Sequence, residues 1–518
     1  MNNFTKFAFS GLAGLLLTAA FPRIGASPLA AAALVPLLLA IRTAAPGEAF
    51  RLGWIAGMAH ALTLTYWLVH TLGTYGGLPI WVSVPLLGLL AAYLALYPAA
   101  FAATLAALRI RPGLLPIAAA AVWTGLEYLR AHLLTGFPWA LLGYSQYRRL
   151  HLIQISDIVG VYGVSFLLVA INASISLAIL AGWKRPWAGR MVSGKLAATA
   201  AAAAALATAA VAGYGAWRMA EIDRISESAP VVRAAAIQGN IEQAVKWDPA
   251  YQIDTVDRYL ALSLAAMADR PDLIVWPETA APFYFSRNRP LTERVLAGIR
   301  EAGVHFAVGA PAFERDGEET DLYNSAFLIR PDGRIAGRYD KVHLVPFGEY
   351  VPLERFLPFV DKLVTQVGDF GTGRKGEVLR SGDHRLGVLI CYEAIFPGLA
   401  RAAVQNGAGL LVNITNDAWY GTSSAPYQHF SMAALRAVET RRGLIRAANT
   451  GISGFVDPVG RIDGTTGLFE TTVSTRTLPV LTIETPYAKI GDLFARLCLA
   501  GIPGMGIACI ARRRRKTK

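Results

Sequence analysis

The chain predicts a polytopic α-helical membrane bundle of about eight spans joined to one layered α/β domain. Three observations carry that expectation. Hydrophobic residues make up 54% of the 518 and charged residues only 16%, with a mean hydropathy of +0.40. The apolar excess is segregated, since 1–220 and roughly 484–511 are nearly free of Asp and Glu while 225–480 reads as an ordinary globular domain. Inside that domain, short β-rich apolar runs alternate with helical patterns, as a layered α/β architecture requires. The boundaries follow: membrane helices one to seven in 1–220, a globular α/β domain in 225–480, and a last membrane helix with a basic tail in 484–518.

Apolar runs long enough for about 30 Å of hydrocarbon lie near 4–21, 27–41, 52–72, 80–108, 114–134, 158–182, 196–217 and 488–511. The first is read as a span and not a cleaved signal, because Lys6 is its only basic residue and further spans follow at once. The seventh is mostly alanine over 196–212, so its limits are the least sharply marked. With a cytoplasmic N-terminus, the inner loops carry Arg42 and Arg51, Arg109 and Arg111, then Lys184, Arg185, Arg190 and Lys195, and finally the tail from Arg512 to Lys516. Outer loops carry fewer basic residues: Arg23, then Arg130, Arg148 and Arg149. This asymmetry obeys the positive-inside rule and puts the globular domain outside the cytoplasm.

A net charge of +13 would suit a nucleic-acid partner if it formed one basic face on a folded module. Here the basic residues cluster at the ends of apolar stretches, so no nucleic-acid partner is expected. Of the three cysteines, Cys498 and Cys509 fall about 16 Å apart along one helix and cannot bridge. No disulfide framework, metal-ligand spacing or cofactor is implied.

In 225–480 the runs 231–237, 273–276, 305–309, 325–329, 386–391 and 410–414 read as strands, and 254–268, 291–302, 394–406 and 431–442 as helices. Three residues at the ends of such elements carry chemistry. Cys391 closes an apolar strand-like run and precedes a helix entry, where free backbone N–H groups lower a thiol pKa and receive a developing oxyanion. Glu278, after Pro277 at the end of another strand, suits a general base. Lys341 opens a segment whose Pro346 and Gly348 mark a shaped loop, and its ammonium suits an oxyanion partner. Each has a plainer reading alone: a core cysteine, a turn-capping carboxylate, a surface lysine. Glu127 and Arg130, at i and i+3 on one helix, read equally as a membrane-border ion pair or as a lipid-headgroup contact.

The contexts Trp276-Pro-Glu-Thr279, Tyr339-Asp-Lys341, Pro346-Phe-Gly-Glu349 and Ile390-Cys-Tyr-Glu393 resemble the nitrilase (carbon-nitrogen hydrolase) superfamily. With the spans around them, the chain resembles its membrane-embedded branch, the apolipoprotein N-acyltransferase family. Glu127-Tyr-Leu-Arg130, Thr135-Gly-Phe-Pro-Trp139, Gly143-Tyr-Ser-Gln146, Gln238-Gly-Asn240, Lys246-Trp247, 413–420 and Gln428-His429 fit that branch. The resemblance implies an αββα sandwich of nitrilase type and a catalytic triad of Glu278, Lys341 and Cys391. It implies that Glu349 orients Lys341, that Tyr392 and Glu393 flank the nucleophile with the Tyr392 N–H as an oxyanion donor, and that Trp247 lies near the substrate. It further implies a phospholipid acyl donor such as phosphatidylethanolamine, a diacylated apolipoprotein acceptor, a thioester on Cys391, ping-pong kinetics, and a bacterial inner membrane with the catalytic domain on the periplasmic side. Two rivals share parts of the pattern. A membrane-tethered amidase or nitrilase would release free acid or ammonia in water; a transporter or lipid-binding scaffold would not need the triad.

Overall fold

A computed structural model describes residues 1–285, 287–316, 319–350 and 370–514. The chain separates into two compact units, one of Met1–His70, Leu78–Met219 and Ile490–Lys518, the other of Thr71–Gly77 and Ala220–Lys489.

The helical part runs through α1 (Asn3–Ala19), α2 (Val35–Ile41), α3 (Pro46–Leu64), α4 (Trp67–Thr74), α5 (Ile80–Leu108), α6 (Leu115–His132), the single turns α7 (Leu150–Ile153) and α8 (Ser156–Val159), α9 (Val161–Gly182) and α10 (Gly194–Glu227). A short ribbon, β1 (Pro186–Trp187) and β2 (Arg190–Met191), separates the last two, and a final helix covers Leu493–Arg514. Among the described residues, α5, α9 and α10 are long and apolar enough to cross a membrane, and α3 with α4 makes a fourth if that pair, bent by 52°, is one span.

The difference from eight has local causes. The run at 27–41 does not form one helix: a 3₁₀ turn at Ser27–Ala31 precedes the seven-residue α2, and each has a proline in its first turn. Asn172 on α9 satisfies the backbone at that break, donating to the Ala30 carbonyl at 2.8 Å and accepting from the Leu34 N–H at 2.7 Å, as non-helical backbone among apolar helices requires. The helix α1 has 17 residues and reaches about 25 Å. The run at 114–134 becomes the 18-residue α6, which carries Glu127 and two basic residues. In the last helix the apolar stretch among the described residues runs from Leu493 to Gly506. Arg515, Lys516 and Lys518 of the expected tail, and the side chains of Cys509 and Arg512, lie outside the described residues. Close approach is achieved by small residues: a Cβ on Gly53 would stand 2.3 Å from the Pro98 carbonyl, so α3 and α5 pack backbone to backbone.

The second unit holds two six-stranded sheets. The first is built from β3 (Val231–Gln238), β4 (Leu273–Val275), β5 (His305–Asp316), β6 (Glu319–Ile329), β7 (Ile335–Asp340) and, at the end of the domain, β14 (Thr472–Pro479). The second contains β8 (Val378–Ser381), β9 (His384–Ile390), β10 (Leu410–Thr415), β11 (Gly443–Ala448), β12 (Gly454–Val456) and β13 (Ile462–Asp463). Their orders are β14-β3-β4-β5-β6-β7 and β13-β12-β11-β10-β9-β8. In each sheet three adjacent strands are parallel, β3-β4-β5 and β9-β10-β11.

The inner faces interlock through Val232, Ala234 and Val275 of one sheet and Leu386, Val388 and Val412 of the other. Helices α11 (Gln252–Ala266) and α12 (Arg289–Ala302) cover the outer face of the first sheet, packing Tyr259 and Ile299 against Trp276 and Phe306. Helix α13 (Pro397–Gln405) lies on the second, where a Cβ on Gly387 would meet Ala403 at 2.8 Å, and the buried α14 (Ala425–Thr440) shares that layer. The result is an αββα sandwich. One expected element is shorter: the helix read over 394–406 begins at Pro397, because Phe396 before the proline is extended at φ −95°, ψ 102°.

Candidate active site

Parallel strands gather ligands at their carboxyl ends, and both sheets deliver chemistry there. β9 ends at Ile390 and Cys391 follows in the left-handed region at φ +53°, off the strand and opening a 3₁₀ turn over Cys391–Ile395. For a residue with a Cβ that conformation costs on the order of 1–3 kcal/mol and must be held by its surroundings. Glu393 supplies the hold. Its buried carboxylate accepts from the Ile390 N–H at 2.6 Å, the Val342 N–H at 2.6 Å, the His343 N–H at 3.1 Å and the Tyr339 hydroxyl at 3.0 Å. One side chain thus fastens the turn that carries Cys391 to the segment just after Lys341. Burial lifts this carboxyl to about 7, against the pull of those N–H groups and of the Lys341 charge.

Glu278 follows β4 and is almost fully buried. Its Oε1 accepts from Asn324 Nδ2 at 2.7 Å and lies 3.5 Å from Lys341 Nζ, while Oε2 accepts from the Asn416 N–H at 2.9 Å. Lys341 is 1% exposed and donates to Glu349 Oε1 at 2.8 Å. The Asn324 amide also reaches Glu349 Oε1 at 2.9 Å, and Glu349 Oε2 accepts from the Val345 N–H at 2.8 Å. Burial alone would lower the Lys341 pKa, but Glu349, Glu278 and the Cys391 thiol outweigh it and hold this group above the ordinary lysine value. It is a fixed cation. A second buried ammonium, Lys246, donates to the Glu278 carbonyl oxygen at 3.0 Å and is pulled by burial down to about 8, with Glu278 and Cys391 opposing.

Cys391 is 6% exposed. Burial pushes its thiol well up, helped by the Glu278 and Asp417 charges; Lys341 and a hydrogen bond from Thr415 act the other way. This corrects the expectation that free N–H groups at the turn lower the thiol pKa: desolvation and two nearby carboxylates win. The Cys391 thiol is thus held above the ordinary cysteine value beside a buried carboxylate and a fixed ammonium. A thiol, a proton acceptor and a cation together suffice for addition and elimination at an acyl carbon.

Of the other residues named from the sequence, Tyr392 is buried against Phe396 in an edge-to-face contact at 5.1 Å. Trp247 is half-buried in the turn after β3, beside Lys246. Glu127 and Arg130 belong to the helical unit. There Glu127 Oε1 accepts from the Leu142 N–H at 2.7 Å, and Arg130 donates to the Trp139 and Ala140 carbonyls at 3.2 and 3.4 Å. They form no ion pair with each other among the described residues, and both tie down the irregular segment after α6. Several site groups escaped the sequence reading: Asn324, Thr415, Asn416, Asp417, His429, Arg446 and the role of Lys246. Thr415, Asn416, Asp417, His429 and Lys246 stand in motifs already marked as fitting the family, which was the one available signal. Asn324 and Arg446 sit inside strands, where nothing in the local pattern distinguishes them.

Comparison with known proteins supplies three further findings. The family model described as apolipoprotein N-acyltransferase N-terminal domain matches residues 13–174, and that described as carbon-nitrogen hydrolase matches 233–487. The chain is 47% identical over 505 residues to an apolipoprotein N-acyltransferase of Geobacter metallireducens, covering 97% of this chain and 95% of that protein. It is 35% identical over 513 residues to one of Methylococcus capsulatus, with coverage of 97% and 95%. Among solved structures, an amidase from Nesterenkonia sp. aligns with a TM-score of 0.38 at 22% identity, covering 51% of this chain and 95% of that one.

Proposed function

This chain belongs to the apolipoprotein N-acyltransferase family, and from that premise we propose that it moves a fatty acyl chain from a phospholipid to the α-amine of a diacylglyceryl-cysteine at a lipoprotein N-terminus. The observation that carries the reading is the burial of Glu278, Lys341 and the Cys391 thiol together, with Glu278 Oε1 3.5 Å from Lys341 Nζ and both of those charges acting on the sulfur.

Glu278 takes the Cys391 proton as Sγ attacks the ester carbonyl of the donor, phosphatidylethanolamine or a lipid like it. The oxyanion forms beside the Lys341 ammonium and the Tyr392 N–H. The S–C bond is kept, the C–O bond breaks, and the proton passes from Glu278 to the departing glycerol oxygen, releasing a lysophospholipid. In the second half, the neutral α-amine attacks the thioester, the C–N bond forms, the C–S bond breaks, and the amine proton returns through Glu278 to sulfur. One acyl site serving two lipids in turn gives ping-pong kinetics. Glu349 orients Lys341, Glu393 holds the turn, and Trp247 contacts substrate. We extend the reading to the whole chain: a multi-pass bacterial inner-membrane protein of about eight spans, some of them broken, with the sandwich on the periplasmic side.

Mass spectrometry of the purified full chain incubated with phospholipid vesicles tests this. An acyl mass on the Cys391 peptide, absent in Cys391→Ala and discharged onto a diacylated lipopeptide amine, is expected. Full transfer by Cys391→Ala removes the thioester from the scheme. Free fatty acid with no lipopeptide product would favour a tethered hydrolase.

A further inference from the structure

The nucleophile's own carbonyl oxygen is held by a side chain. His429 Nε2 lies 3.0 Å from Cys391 O, and because a carbonyl only accepts, Nε2 carries the hydrogen. The other ring nitrogen, Nδ1, stands 3.0 Å from Asp417 Oδ1 and 3.1 Å from an Arg446 guanidinium nitrogen. Arg446 also donates to Asp417 Oδ2 at 2.7 Å, to the Ile452 carbonyl at 3.2 Å and to Asn413 Oδ1. All of these side chains are buried to within 1% of full enclosure.

The frame is set by strand register. Leu389, Asn413 and Arg446 are direct partners across β9, β10 and β11, so one period-two face carries the whole set. Asn413 donates to the Leu389 carbonyl at 2.8 Å, two residues before the nucleophile. The ring of His429 is therefore oriented by Arg446 from the sheet and by Asp417 from the turn that follows β10.

In a trans peptide the carbonyl and the following N–H point in opposite directions. Directing the Cys391 carbonyl at His429 directs the Tyr392 N–H away from it. Tyr392 is the second residue of its 3₁₀ turn, where an N–H has no partner within the turn, and among the described residues it makes no backbone hydrogen bond elsewhere. We propose that His429 is a positioning residue: by pinning the Cys391 carbonyl it keeps the left-handed turn in the one peptide orientation that offers the Tyr392 N–H to the oxyanion. This rests on the acyl-transfer reading above.

The test is single-turnover acylation of Cys391 by phospholipid in the purified full chain, comparing wild type, His429→Leu and His429→Gln, whose amide restores an N–H donor. Loss of an oxyanion donor costs on the order of 10²–10³ in rate, so His429→Leu should acylate about that much more slowly at an unchanged half-saturating lipid concentration. His429→Gln should recover at least tenfold of the loss. Alkylation of Cys391 by iodoacetamide builds no oxyanion and should stay within about threefold of wild type in both variants, which a general collapse of the site would not allow. Wild-type acylation by His429→Leu, equal slowing in Leu and Gln, or a loss confined to half-saturation overturns the proposal. If neither His429→Leu nor His429→Phe folds, His429 is structural and the proposal fails. Absence of any acyl-enzyme in the wild type would instead sink the acyl-transfer reading itself.

Discussion

Glu393→Gln is the substitution whose outcome the site fixes most tightly. The carboxylate serves three N–H donors and one hydroxyl at 2.6–3.1 Å. In either amide orientation an NH₂ faces a backbone N–H: that of Ile390, or those of Val342 and His343. At least one charge-assisted bond of about 1.5–3 kcal/mol is lost, and an N–H is left unsatisfied at a further ~1–3 kcal/mol. Against this, the variant avoids ionising a buried carboxyl. The gap between an ordinary glutamate at 4.5 and about 7 in this site corresponds to about 3 kcal/mol. The two terms are of similar size, so stability near pH 7 should change by only about 2 kcal/mol while the turn loses its fastening and acylation falls on the order of 10²-fold. The pH sign is definite. Between 4.5 and about 7 the folded state holds a proton that the unfolded state has released, so the Glu393 contribution is present below 4.5 and lost as pH rises to about 7. Denaturation of detergent-solubilised wild type and Glu393→Gln at a series of pH values should show the variant gaining about 3 kcal/mol on wild type across that window. Parallel stability profiles, or wild-type acylation in the variant, would refute the argument.

Three other outcomes follow from the same geometry. Asn324→Asp places a third carboxylate against Glu278 and Glu349, both now within 2.9 Å of its amide, and should cut single-turnover acylation on the order of 10²-fold, whereas Asn324→Gln should cost less. Lys341→Met leaves Glu278 and Glu349 without their shared cation. Losing one partner of a buried pair costs about 3–5 kcal/mol, read as a lowered melting temperature together with loss of acylation. Lys246 is held at about 8, so below that pH the folded state carries a buried charge at a cost that vanishes as pH rises towards 10.5. Wild type should therefore gain stability on Lys246→Met between those limits, and a constant difference would contradict the burial argument.

What was legible in the sequence was whatever a local pattern encodes. Alternating apolar strands and amphipathic helices were visible because β3, β4, β9 and β10 are short, β-branched or alanine-rich runs ended by polar residues. Glu278, Lys341 and Cys391 were visible because each stands at an element's end among residues of unusual shape. β11 was missed although it is wholly buried, because Arg446 in its middle breaks the apolar run; that arginine is compensated by Asn413 and Asp417, which only the register brings near. The broken helix over 27–41 was missed for the same reason, since its compensating Asn172 lies in a different span. The direction of the thiol shift could not be read at all. It is set by the balance between burial and charges from both sheets, and no local window contains that balance.

That balance bears on why this site uses sulfur under a fixed cation. Under the proposed mechanism, a thiol kept protonated by desolvation is a poor nucleophile until Glu278 removes its proton, so attack would be tied to the moment a carbonyl is in place. The same desolvation makes the thiolate a reluctant leaving group when the amine attacks the thioester. Lys341 answers both demands, because its charge acts directly on the sulfur and Glu349 and Glu278 keep it protonated while buried. Under the proposed mechanism its attraction to sulfur would therefore count in each half of the cycle, once as Sγ loses its proton and once as the C–S bond breaks. A Lys341→Met protein should accordingly be slowed in both halves. If a pre-acylated Lys341→Met enzyme delivers its acyl group to a lipopeptide amine as fast as wild type, the cation serves only acylation and this account of the second half is wrong.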